Sequence, residues 1–256
     1  MVAEDRESTP SHDNWENPPH DLVLPEDEVH VWRASLEAPG TGMAELRCIL
    51  SRDEVGRANR YLSKSNGRRF LVARGLLRTI LGCYLGVSPT ALFFDYGRNG
   101  KPELVPGCNP GGLRFNLSHT SNTAIYAVTR NRAVGIDIED PSRTVDMQPI
   151  VRRNCSKQEQ ADLQSVPEEM KRQAFFTCWT RKEAYIKARG DGLSAHLNQI
   201  TVSLIPGEPA RLIETPEGKD EAARWTIKDI KVSGEYIAAL IAEGHSWRVR
   251  NWDWSW

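Results

Sequence analysis

Long apolar runs are missing from this 256-residue chain. No uninterrupted stretch approaches the roughly 18 residues that suggest a bilayer span, and the N-terminus lacks a basic-plus-apolar signal segment. No membrane partner is therefore expected. Excess charge of either sign is missing too. The formal net charge of -1 gives no global attraction for nucleic acid, and none is expected as a partner. Cysteine is sparse: five residues with no C-x-x-C spacing read as free thiols in a reducing cytoplasm, the expected location. The N-x-S triplets at Asn116 and Asn154 then carry little meaning as glycan acceptors. The six histidines form no pair with cysteine at ligand spacing, which disfavours zinc. Gly97-Arg98-Asn99-Gly100-Lys101-Pro102 is not a Walker phosphate loop, and no G-x-G-x-x-G follows a strand.

What is present fits a soluble globular protein, with 39% apolar and 26% charged residues and enough length for one domain or two compact lobes. Residues 1–25 mix Asp, Glu, Ser, Pro, Asn and His without periodicity and read as a flexible tail. A first strand is expected over Val29 to Leu36. Ser51-x-x-Glu54 has capping-box spacing, and a longer helix is expected from Gly67 to Leu85, ended by Gly86. Strands follow at Ala91 to Tyr96, Leu113 to His119 and Ile125 to Val128. In the second half a helix from Ser165 to Arg189, with Ser165 and Glu168 as a further capping box, precedes strands near Ile200, Trp225 and Tyr236. Ser51, Glu54 and Phe70 recur as Ser156, Glu159 and Phe175, each displaced by 105 residues, in the same order of elements. Internal duplication is the economical reading, and two similar lobes would meet at a cleft. The joint falls near residue 131, giving a tail at 1–25, an N-terminal lobe at 26–131 and a C-terminal lobe at 132–256. Four of the eight tryptophans lie in the last ten residues, in a pattern that fits an edge strand or a sticky tail equally.

The chemistry gathers around V-G-I-D-I-E, Val134 to Glu139. As a strand it sets Asp137 and Glu139 on one face and Val134, Ile136 and Ile138 on the other. Two carboxylates so placed call for a cation or a shared proton, although a solvated acidic edge has the same pattern. On the downstream helix Trp179, Glu183 and Lys187 stand at i, i+4 and i+8, a spacing that a plain solvated face would also favour. Together Asp137, Glu139 and Glu183 are three hard oxygen donors suited to Mg²⁺. Cations suited to phosphate surround them in sequence: Lys187, Lys101, His119, and Arg74 or Arg78, which lie four apart on one helix face. That combination indicates phosphoryl chemistry on a pyrophosphate. Ser118 and His119 do not read as a nucleophile and base, because adjacent strand residues point to opposite faces and no G-x-S-x-G elbow surrounds them.

F-N-L-S-H at Phe115 to His119, V-G-I-D-I-E, W-T-R-K-E-A-Y-I-K-A-R-G at Trp179 to Gly190, Gly100-Lys101-Pro102 and A-R-G-L-L-R at Ala73 to Arg78 together closely resemble the 4'-phosphopantetheinyl transferases. The likeness is to their two-lobed, surfactin-synthetase-activating class, and it runs from about Val29 to Leu240. It implies an α+β fold of two similar lobes related by a pseudo-twofold, each with an antiparallel sheet packed on a long helix. It implies transfer of the phosphopantetheine arm of coenzyme A to a serine of an apo acyl, polyketide or peptidyl carrier protein, with release of 3',5'-ADP, by a monomer. Carried over by position, Asp137, Glu139 and Glu183 become the Mg²⁺ site. Asp137, Glu183 and Lys187 carry the catalysis, with Glu183 or a water as the base. Lys187, Lys101, Ser118 and His119 meet coenzyme A, as does Arg74, with Arg78 as its rival, and Lys182 faces a coenzyme A phosphate or the carrier. Cys155 departs from the family pattern, which often has an aromatic residue before the Ser-x-x-Glu of the second lobe. A silent carrier-binding protein and a carrier-independent pyrophosphate hydrolase are the other readings.

Overall fold

The computed structural model describes residues 14–97, 99–190 and 196–256. In the first half β1 (Glu28–Ser35) leads to α1 (Gly40–Ile49), α2 (Arg52–Asn59) and the 22-residue α3 (Lys64–Leu85). A short hairpin of β2 (Phe94–Tyr96) and β3 (Pro102–Leu104) follows, then β4 (Leu113–Thr120) and β5 (Thr123–Arg130). The second half runs through β6 (Val134–Glu139), α4 (Met147–Asn154), α5 (Lys157–Ser165) and α6 (Glu168–Arg189). It ends with β7 (Thr201–Val202), β8 (Leu212–Glu214), α7 (Lys219–Ala222), β9 (Trp225–Asp229), β10 (Ile237–Glu243) and β11 (Arg248–Asp253).

These elements stack in four layers, and strand alternation dictates the stacking. On β1, His30, Trp32 and Ala34 point toward α3, where Trp32 and Ala34 join Leu76, Leu77, Ile80 and Leu81 in one core; Val29 and Val31 point the other way. There they meet Val134, Ile136 and Ile138 of β6 and Leu240 of β10, so the two main sheets pack face to face. The far side of the second sheet, with Ala239 and Ile241, packs on Phe175, Phe176 and Tyr185 of α6. The order is therefore α3, first sheet, second sheet, α6. Burial on both faces explains the continuous apolar run A-I-Y-A-V of β5, Ala124 to Val128.

The first sheet has the order β11-β1-β5-β4 and the second β6-β10-β9. β11 lies parallel to β1, with Trp252 opposite Trp32, so the tryptophan-rich end returns to the first sheet instead of staying with the expected C-terminal lobe. It also makes that sheet mixed, where a wholly antiparallel one was expected. The physical reason is the indole rings of Trp252 and Trp254, which reach the core around Trp32. Residues 14–25, expected within a flexible tail, are docked: the Glu16 amide donates to Asn251 O at 3.1 Å, and Leu24 is buried. Residues 1–13 of that tail lie outside the described residues.

Two helix starts differ from expectation. Ser63 caps α3, whose first turn begins three residues before Gly67. Ser165 does not cap α6; its hydroxyl donates to Asp162 O at 2.8 Å and closes α5. Pro167 holds Val166 extended and so stands as the N-cap of α6.

Candidate active site

The site is built where β6 and α6 touch. Gly135 makes that approach possible: a Cβ there would stand 2.0 Å from Ala184 O and 2.5 Å from Ala188 N. Only glycine admits the helix backbone so near the strand. The close seam brings Asp137 and Glu139 of β6 up to the Trp179, Glu183 and Lys187 face of α6.

Asp137 is buried, with 4% exposure. Its Oδ1 accepts from Lys187 Nζ at 2.5 Å and from Ser118 Oγ at 2.8 Å, while Lys187 also donates to Ser118 Oγ at 2.9 Å. Glu139 Oε1 accepts from the Trp179 indole at 3.1 Å and from Arg143 at 3.4 Å. Asp137 Oδ2 and Glu183 Oε1 are buried without a hydrogen-bond partner among the described residues. Burial, then the Asp137 charge, pushes the Glu183 carboxyl up to about 7, and the same two causes raise Glu139. Three crowded acids with two orphaned oxygens form a donor set that a hard divalent cation would satisfy.

Beside these acids lies a cavity of about 720 Å³. Its walls come from α2 and α3, the β2–β3 hairpin, β4 and the last two turns of α6, so both halves of the chain contribute. Arg74 lines it. The Arg74 guanidinium is fixed by Nε to Glu54 Oε1 at 3.0 Å, by the Tyr96 hydroxyl at 2.5 Å and by the Phe94 ring at 4.7 Å. Arg78, the rival, is turned away: it donates to Glu54 at 2.7 Å and to the Pro89 and Leu92 carbonyls at 2.9 Å. Lys101 also lines the cavity, with Nζ 3.0 Å from Ala188 O at the end of α6, and burial lowers its pKa to about 8. Ser118 and His119 complete the β4 wall. His119 is exposed on the cavity wall, and partial desolvation there, then the Lys187 charge, lowers its pKa.

Lys182 is the expected residue that the structure does not bring to the cavity. It has 1% exposure, pairs with buried Glu159, and donates to Asn154 O and Leu197 O at 2.9 Å. One position before Glu183 is a 100° rotation on a helix, enough to send its side chain into the α5 side of the core. The reason is Glu159, the third residue of a capped helix, which is fully buried and needs a cation, as Glu54 needs Arg74 and Arg78. Sequence reasoning also missed Arg57, Tyr61, Tyr96 and Asn116 on the cavity wall. The Tyr61 ring lies 5.6 Å from that of Phe70, and both line the cavity.

Residues 133–241 match the family model of the 4'-phosphopantetheinyl transferase superfamily. The chain is also 41% identical over 238 residues to the 4'-phosphopantetheinyl transferase HetI of Nostoc sp. strain PCC 7120, covering 93% of this chain and 97% of that protein. This chain belongs to the 4'-phosphopantetheinyl transferase superfamily. More distant members are similar over most of its length. The 4'-phosphopantetheinyl transferase psf-1 of Bacillus pumilus is 29% identical, over 81% of this chain and 91% of the relative. The transferase Sfp of Bacillus subtilis strain 168 is 28% identical, over 76% and 82%. The family match begins one residue before β6 and ends within β10, so it takes in the acid-bearing strand and α6.

Proposed function

We propose that this chain moves the 4'-phosphopantetheine arm of coenzyme A to the serine hydroxyl of an apo acyl, polyketide or peptidyl carrier protein and releases 3',5'-ADP. The carrying observation is the meeting of Asp137, Glu139 and Glu183 with a two-walled cavity that also holds Lys187, Arg74, Lys101 and His119. Coenzyme A presents the matching chemistry, a pyrophosphate plus a further phosphate on its nucleotide. Arg74, Lys101 and His119 would hold the nucleotide end, with Ser118 beside them, and Lys187 the pyrophosphate. Mg²⁺ fits the three acids, whose orphaned oxygens and raised pKa values call for a cation. When bound, it neutralises charge on the pyrophosphate. The carrier serine oxygen forms the new bond to the β-phosphorus, and the bond to the 3',5'-ADP oxygen breaks. Glu183, which lines the cavity beside Lys187, takes the serine proton.

The two halves read as lobes related by a pseudo-twofold, with a joint near residue 131. Support comes from matched parts: α2 and α5 both open on a Ser-x-x-Glu capping box, both glutamates are buried, and both pair with cations from a following 22-residue helix. A monomer acting in the cytoplasm fits a cavity whose walls come from one chain and five free cysteines. Among the described residues no helix is long and apolar enough to cross a membrane.

The test is chromatographic detection of 3',5'-ADP after incubation with coenzyme A and Mg²⁺, with and without apo carriers of the three types. Release that depends on a carrier supports transfer. Equal release without any carrier marks a pyrophosphate hydrolase, and no release with any carrier marks a silent binder.

A further inference from the structure

A second cluster of reactive groups lies on the opposite side of α6 from the acids. Cys155, at the junction of α4 and α5, and Cys178, in the middle of α6, are buried with 5% and 1% exposure. Their sulfurs and the Glu159 carboxylate lie within 4.8 Å of one another. A metal shared by all three does not suit the cluster, because the carboxylate is already engaged. Glu159 accepts from the Ser156 and Val202 amides at 2.7 and 2.9 Å and pairs with the Lys182 ammonium. That leaves two neighbouring sulfurs beside a fixed positive charge.

We propose that Cys155 and Cys178 are an oxidisable dithiol, a modification site at which a hydroperoxide closes a disulfide that ties the α4–α5 junction to α6. The two sulfurs are already near enough for a modest movement to join them. Cys178 is held by the helix, while Cys155 sits in extended conformation between two helices, at φ -87° and ψ 141°, where its side chain can turn. Rotation about the side-chain bonds must bring the sulfurs to about 2.05 Å. The roles of the two sulfurs differ. A hydrogen bond from Cys178 and the nearby Lys182 charge favour the Cys155 thiolate, whereas Cys178 is held protonated by that bond and by burial.

The Cys155 sulfur attacks one peroxide oxygen, the O–O bond breaks, and Cys155 becomes a sulfenic acid as hydroxide leaves. The Cys178 sulfur then attacks the sulfenic sulfur, giving up its proton as water departs. Two thiols lose two electrons and two protons, and hydrogen peroxide is reduced to two waters. The remaining cysteines, Cys48, Cys83 and Cys108, are exposed or half-buried and play no part.

The test uses the full chain carrying Cys48→Ser, Cys83→Ser and Cys108→Ser, which leaves the buried pair intact. The protein is treated with hydrogen peroxide, denatured in N-ethylmaleimide and weighed by intact-mass spectrometry. The expected species is two hydrogens lighter than the untreated chain and carries no maleimide, and dithiothreitol restores two maleimide adducts. Two adducts after peroxide, a gain of oxygen with no loss of hydrogen, or a disulfide between two chains would each overturn the proposal. The readout is independent of transferase activity, so it stands or falls apart from the proposed function.

Discussion

Glu183 combines two liabilities, a buried oxygen without a partner and a carboxyl pushed up to about 7. Both follow from placing it between burial and the Asp137 charge. The sign of the stability effect follows from the direction of the shift. With a folded pKa above the unfolded value, the contribution is present below about 4.5 and is lost as pH rises through about 7. Chemical denaturation of the metal-free protein should therefore show wild type losing stability against Glu183→Gln across that window, by at most about 3 kcal/mol. Saturating Mg²⁺ should shrink the difference; a pH-independent difference contradicts the assignment. The same variant is expected to lower kcat on the order of 10²–10⁴-fold by removing the proton acceptor. Lys182 and Lys187 make opposite predictions although they lie five residues apart. Lys182→Ala strands Glu159 as an unpaired buried charge, a loss of about 3–5 kcal/mol, visible as a collapsed melting temperature. Lys187→Ala should cost less than that, because its side chain is 28% exposed and water can take its place beside Asp137, yet abolish transfer.

At the scale of elements, the seam between β6 and α6 decides whether the acids meet. Gly135→Ala places a methyl group against helix backbone, which no rotamer change can relieve. We expect a loss of about 1–3 kcal/mol from overpacking and, in a Mg²⁺ titration, weaker binding because α6 is displaced. An unchanged metal affinity would show that the seam does not position the acids. This is also where sequence reading succeeded and failed for physical reasons. The V-G-I-D-I-E alternation and the Trp179, Glu183 and Lys187 spacing are local periodicities, so they could be read directly. The Gly135 approach and the inward turn of Lys182 are set by partners 49 and 23 residues away, Ala184 and Glu159, and no local pattern announces them. Arg74 and Arg78 were indistinguishable in sequence because they share a helix face; the β2–β3 hairpin separates them by giving Arg74 the Tyr96 hydroxyl.

Across the whole molecule, the first sheet depends on the end of the chain. Trp252 on β11 packs against Trp32 and His30 from β1, and β11 covers the edge of β1. Trp252→Ala is expected to cost about 3–5 kcal/mol by thermal or chemical denaturation, far from the acids. If stability is unchanged, β11 is not integral to the sheet. The cavity itself exists only because both halves wall it, and the proposed transfer needs the assembled chain, with acids from one half and cations from both meeting one pyrophosphate. The most direct measurement is the intact mass of a purified apo carrier protein incubated with this protein, coenzyme A and Mg²⁺. The expected result is a gain of one phosphopantetheine, lost with EDTA and lost with Asp137→Asn; coenzyme A consumed while every carrier keeps its original mass would contradict the proposed transfer.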